Sequence, residues 1–171
     1  MGKADIKFRQ ARESCTRAAF DNALAVRPQI ERLREFDDHD AFDSSRQRSD
    51  AQFLLIALWR LRIAAERGSK LADSSTQVVT ALEVFDQAFP RLRNLRHVLM
   101  HYDNYVVEND LRRNTYGGSD TLVNRRDVEA QFDNPDGVAW LGENYAFDHV
   151  SSESGSLYRA VAETFDLPGM T

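Results

Sequence analysis

Apolar and polar positions alternate along this chain in two distinct textures. From about Asp5 to Phe36, the positions Ile6, Ala11, Cys15, Ala18, Asn22, Val26, Ile30 and Leu33 recur every three to five residues. That spacing lays them along one stripe of a helix. Pro28 interrupts the run and is expected to kink or break it, because proline lacks an N–H and clashes with the preceding turn. The stretch from Asp37 to Arg48, with Asp37-Asp38-His39-Asp40 at its head, reads as a polar, solvated loop. A second helix is predicted from Ser49 or Asp50, either of which can cap it, to about Gly68. Its segment Phe53-Leu54-Leu55-Ile56-Ala57-Leu58-Trp59 is apolar nearly all round, which places it centrally in the fold.

A third helix opens at Ser74-Ser75-Thr76-Gln77, where Ser74 and Gln77 fit the two ends of a capping box. Val78, Leu82, Phe85 and Phe89 then follow at i, i+4, i+7 and i+11. Pro90 separates this element from a fourth helix, predicted from Pro90 to Arg112. Glycine marks the change of texture. Only Gly68 stands between Gly2 and Gly117, whereas Gly117-Gly118 opens a region of turns, aromatics and short alternations. Asn134-Pro135-Asp136-Gly137 is a strong turn signal. Val128, Ala130 and Phe132 precede it and Val138, Trp140, Tyr145 and Phe147 follow, so a hairpin or short strand pair is expected. The serines up to Ser156 then cap a last helix whose Leu157, Val161 and Phe165 share a face. The fold class is therefore mainly α: an antiparallel bundle of four to five helices, a small C-terminal hairpin extension, and a final helix. A soft boundary near 113–120 divides a bundle over 1–112 from an extension over 113–171 packed on it.

The fourth helix carries the chemistry. At 100° per residue, Leu92, Leu95, Val98, Leu99, Tyr102 and Val106 make one apolar face. Arg93, Asn94, His97, His101 and Asn104 fall on the opposite side, with Arg96 and His101 at its edges. Two histidines spaced i, i+4 beside fixed guanidinium groups offer acid–base chemistry near neutral pH. A plain solvated face is the alternative reading of the same pattern.

The run Arg96-His97-Val98-Leu99-Met100-His101 resembles the signature of the HEPN domain, an all-helical fold of bacterial ribonuclease toxins and defence proteins. That signature is arginine, a polar residue, a short spacer and histidine on a late helix. The resemblance covers about two-thirds of the chain. It implies a metal-independent endoribonuclease, a toxin or defence effector, working as a homodimer in which two motifs face one cleft. It makes Arg96 and His101 the catalytic pair, with His97, Arg93, Asn94, Asn104 and Tyr105 supporting them or the phosphate. It also implies an RNA substrate and an antitoxin or defence-complex partner. In one branch of the family the histidine is followed by x-Tyr. Asp103 stands in that tyrosine's place and Tyr102 comes one residue early, which puts control by tyrosine modification in doubt. A non-catalytic helical module for dimerisation or partner binding is the alternative function.

Composition sharpens these expectations. The 171 residues carry 22 Lys and Arg against 27 Asp and Glu, a net charge of −5. That excludes a protein that coats nucleic acid with its whole surface, but leaves room for a local basic cleft. Arg91, Arg93, Arg96, Arg112 and Arg113, with Arg125 and Arg126, supply the local positive excess. The start of the chain has no apolar segment of secretory type and no run long enough to span a membrane, so a cytoplasmic protein is expected. His97 and His101 have the spacing of a zinc-binding helix, but no glutamate follows the first histidine, and no metal is assigned. No glycine-rich phosphate loop and no hydrolase elbow occurs, so no cofactor is expected. Cys15 is expected as a buried small hydrophobe. His39 and His149 are expected to face solvent, and Trp59 and Trp140 to lie in the core.

Overall fold

The computed structural model describes residues 3–35, 41–71, 76–100, 112–114, 121–123, 130–132 and 135–165. Among them are five helices and two small hairpins: α1 (Lys3–Arg34), α2 (Ala41–Leu71), α3 (Thr76–Ala88), α4 (Leu92–Met100), β1 (Arg112–Asn114), β2 (Thr121–Val123), β3 (Gly137–Trp140), β4 (Glu143–Ala146) and α5 (Phe147–Phe165). This is the mainly helical bundle that the apolar spacing predicts.

α2 is the central element, packed against α1, α3, α4 and α5. Leu54, Leu55, Ala57 and Leu58 on it are all buried. The α1 stripe meets it through Cys15, Val26, Ile30 and Leu33, all buried. α5 brings Leu157, Val161 and Phe165 into the same core. Burying side chains of this kind is worth roughly 1.5–3 kcal/mol each, which is what holds long helices of modest intrinsic stability in place.

α1 runs unbroken through Pro28. The carbonyl that loses its partner belongs to Leu24, a residue 56% exposed, so water can replace the missing N–H. Buried Val26 and Ile30 hold the helix on either side. α2 begins at Ala41 rather than at Ser49 or Asp50. Neither residue caps it. The Ser49 hydroxyl donates back to the Ser45 carbonyl, and the buried Asp50 accepts from Arg32 of α1 at 2.9 Å. That contact between helices turns a polar stretch into a helix face. α2 also continues past Gly68 to Leu71. A Cβ at Gly68 would stand 3.2 Å from the Phe165 ring, so the glycine marks where α5 crosses closely, not a helix end. The Ser74 cap lies outside the described residues, and the Gln77 side chain donates to Glu163 of α5.

Arg112 and Arg113 stand in β1, paired with Val123 and Leu122 of β2, and not in the fourth helix. The second hairpin differs from expectation in its turn. On the near side of the expected turn the pairing among the described residues is one bridge, Gln131 to Ala139. The full hairpin pairs β3 with β4 around Leu141 and Gly142. Both have positive φ, 50° and 77°, the backbone of a two-residue type I′ turn whose twist suits paired strands. Leu141 tolerates this strained conformation because it is buried. Gly142→Ala places a Cβ in the left-handed region and is expected to cost about 1–2 kcal/mol, read as a lowered urea midpoint at unchanged slope.

α5 starts at Phe147, so Ser151 to Ser156 lie inside it rather than capping it. Ser154 is buried, with its hydroxyl donating to the Ser151 carbonyl. Arg34 donates to Asp148 in the first turn of α5 at 2.7 Å, and Arg12 donates to the Phe165 carbonyl at its end. Each contact ties one end of α5 to α1.

Candidate functional site

α4, described over Leu92–Met100, is held at both its face and its start. Leu92, Leu95 and Val98 are buried on the α2 side. Just before it, Arg91 donates to the Leu141 carbonyl at 2.6 Å and pairs with Glu143 at 3.1 Å. The β3–β4 hairpin thus anchors the entrance of the helix. This pairing also removes Arg91 from the local positive excess assigned to it by spacing alone.

The opposite face of α4 opens on a cleft of 770 Å³. Arg93, Asn94, Arg96 and His97 all line it, so four of the predicted site residues share one concavity. His101, Asn104 and Tyr105 lie outside the described residues. The far wall comes from α2 and α3 and holds a closed ionic network. Arg62 donates through Nε and Nη2 to the two carboxylate oxygens of Asp86, each at 2.7 Å, and through Nη1 to Glu66 at 3.0 Å. Such a fork-to-fork pair is the strong geometry for arginine and carboxylate. The bond to Asp86 raises the Arg62 pKa above its ordinary value. Lys70, then Arg62, hold the Glu66 carboxyl below its own. These groups neutralise one another, which leaves Arg93 and Arg96 to set the charge of the α4 wall.

Trp59 was expected in the core. It is instead half-buried and forms the floor of the cleft beside Ile63. The guanidinium groups of Arg62 and Arg96 lie 5.6 and 5.9 Å from its ring. An indole is the best aromatic partner for a cation, so the contact orients Arg96 without neutralising its charge. The apolar run from Phe53 to Trp59 hid this role, because it reads as uniform core.

A second cleft, of 510 Å³, adjoins the first and shares Trp59, Ile63 and Arg96 with it. It runs along the outer groove between α1 and α2, where Arg60 and Arg67 line it. Neither residue was singled out by sequence. Cys15 lines the same groove but is 8% exposed, and burial raises its thiol pKa, with Arg67 opposing. It stays protonated and packs as the small hydrophobe expected. Trp140 is buried as expected. His149 is exposed, beside Glu153 and the Phe89 ring.

Comparison with known proteins returns no match among protein families, curated proteins or solved structures. No described helix is long and apolar enough to cross a membrane.

Proposed function

We propose that this protein is a metal-independent endoribonuclease of HEPN type that acts as a homodimer, a toxin or defence effector. One observation carries the reading: Arg93, Asn94, Arg96 and His97, from one face of α4, line a single cleft. Arg93 and Arg96 form no ion pair with any described residue, while Arg62 beside them is fully engaged. Guanidinium groups without a carboxylate partner among the described residues, one of them set over the Trp59 ring, suit a phosphate.

The chemistry follows from the side chains. Arg96 holds the scissile phosphate and stabilises the charge that builds on its oxygens. His101, one turn beyond His97 in sequence, takes the proton of the ribose 2′-OH or supplies one to the leaving 5′ oxygen. The 2′ oxygen then forms a bond to phosphorus as the bond to the 5′ oxygen breaks. The products are a 2′,3′-cyclic phosphate and a 5′-OH. A single copy brings one motif histidine, and the second acid–base group comes from a second copy across a two-fold axis. His97, Arg93 and Asn94 orient the phosphate.

The test is an RNA cleavage assay on purified protein, paired with a mass measurement in solution. A dimer that cleaves RNA is the expected result. A dimer that leaves RNA intact favours a non-catalytic dimerisation or partner-binding module instead.

A further inference from the structure

The groove between α1 and α2 has a charge pattern that the α4 site does not explain. Arg60, Arg67 and Arg96 line it, and no aspartate or glutamate does. None of the three forms an ion pair with a described residue, whereas several arginines elsewhere do. Arg27 pairs with Glu31, Arg32 with Asp50 and Arg62 with Asp86. In a chain of net charge −5, three cations with no carboxylate partner among the described residues, converging on one groove, are a local reversal of sign.

The spacing limits what can satisfy them. Arg60 and Arg67 are seven residues apart on one helix, two turns, or about 10.5 Å along the axis. Ile63 lies between them, and Arg96 comes from α4 at the junction with the first cleft. The positive positions therefore form a line rather than a cage. A line of cations continuous with a catalytic cleft matches a polymer with regularly spaced negative charge. A single compact anion meets only part of it. The apolar and small side chains between the arginines, among them Ala18, Ile56 and Ile63, are compatible with the sugar and base surfaces of a single strand.

We propose that this groove is the path of the RNA strand beyond the cleavage point. Arg60 and Arg67 hold phosphates that follow, on one side, the one gripped by Arg96. The proposal rests on the ribonuclease reading for its substrate but makes its own claim about binding. It assigns binding residues to α2, outside the motif.

The test is the salt dependence of binding to a fluorescein-labelled single-stranded RNA, read by fluorescence anisotropy. His101→Ala serves as background, so that cleavage does not consume the probe. Each phosphate contact on a single strand contributes about 0.7 to the slope of log affinity against log salt. Adding Arg60→Ala and Arg67→Ala is expected to reduce that slope by about 1.4. A control pair, Arg9→Ala with Arg17→Ala, removes the same charge from exposed positions ion-paired on α1 and is expected to leave the slope in place. The proposal is overturned by a slope equal to the background's, by an equal loss in the control pair, or by no binding of RNA at all. It is also overturned if the Arg60 and Arg67 changes dissociate the dimer, since the groove is then an interface between copies. The two readings fail separately. RNA binding that depends on these arginines without cleavage by the wild type sinks the nuclease but keeps the groove. Cleavage with no such dependence does the reverse.

Discussion

On the proposed ribonuclease reading, Arg96→Ala is expected to lower the rate of RNA cleavage by about 10²–10³-fold, the usual loss when one donor to a developing oxyanion is removed. The argument starts from position. Among the described residues, Arg96 is the one charged side chain that lines both clefts, and its guanidinium lies over Trp59 with no carboxylate partner among them. Its charge is therefore available to a phosphate. Arg96→Lys is expected to recover only a small part of the loss, because an ammonium lacks the planar fork that meets two phosphate oxygens at once. Folding should be nearly unaffected, since Arg96 is exposed and the buried face of α4 is carried by Leu92, Leu95 and Val98. Single-turnover cleavage rates, with thermal melts of the same samples, check both halves. A rate within a factor of a few of the wild type's removes Arg96 from the mechanism.

Phe85→Ala destabilises the fold by about 3–5 kcal/mol. Phe85 is 1% exposed and meets the Phe89 ring edge-on at 4.8 Å. Phe89 in turn stacks on Tyr145 of β4 at 5.7 Å. The three rings form a column that joins α3 to the hairpin, and the hairpin holds Arg91 at the entrance of α4. Truncating Phe85 removes a large apolar side chain and leaves a void under that column. For a chain of this size the melting temperature falls by roughly 2–4 °C per kcal/mol, so a drop of about 10 °C is expected. Tyr145 adds a pH signature to the same region. Burial, reinforced by Glu143, raises its phenol well above the ordinary value of 10. The folded state therefore disfavours ionised Tyr145, and this column weakens as pH rises above about 10.

Those predictions rest on features that were unequally legible in the amino-acid sequence. The faces of α1, α3 and α5 could be read directly, because Val26, Ile30 and Leu33, or Leu157, Val161 and Phe165, keep helical spacing and are all buried. The polar wall of the cleft could be read the same way from Arg93, Asn94, Arg96 and His97 on α4. What escaped depends on partners distant in the chain. The first turns of α2 look like loop until Asp50 is seen to accept from Arg32. Gly68 looks like a helix stop until Phe165 is found against it. The Leu141–Gly142 turn carries no asparagine or aspartate, and its strained leucine is held by burial instead. The second groove draws Arg60 and Arg67 from α2 and Arg96 from α4. No local pattern announces that convergence.

The same contrast reframes the acidic charge of the chain. Among the described residues, most cations outside the clefts are tied to neighbouring carboxylates, as Arg9 is to Glu13 and Arg34 is to Asp148. Arg60, Arg67, Arg93 and Arg96, which form no ion pair with a described residue, line the clefts beside α2 and α4, where their field is concentrated by the walls of a concave surface.

The most direct test of the central claim is cleavage of a structured RNA by wild type and His101→Ala side by side, in the presence of a metal chelator, with the product ends analysed. The account predicts that the wild type cuts, leaving 2′,3′-cyclic phosphate and 5′-OH ends, and that the variant cuts about 10²–10⁴-fold more slowly. Undiminished cleavage by His101→Ala, or a wild-type dimer that leaves the RNA whole, would contradict it.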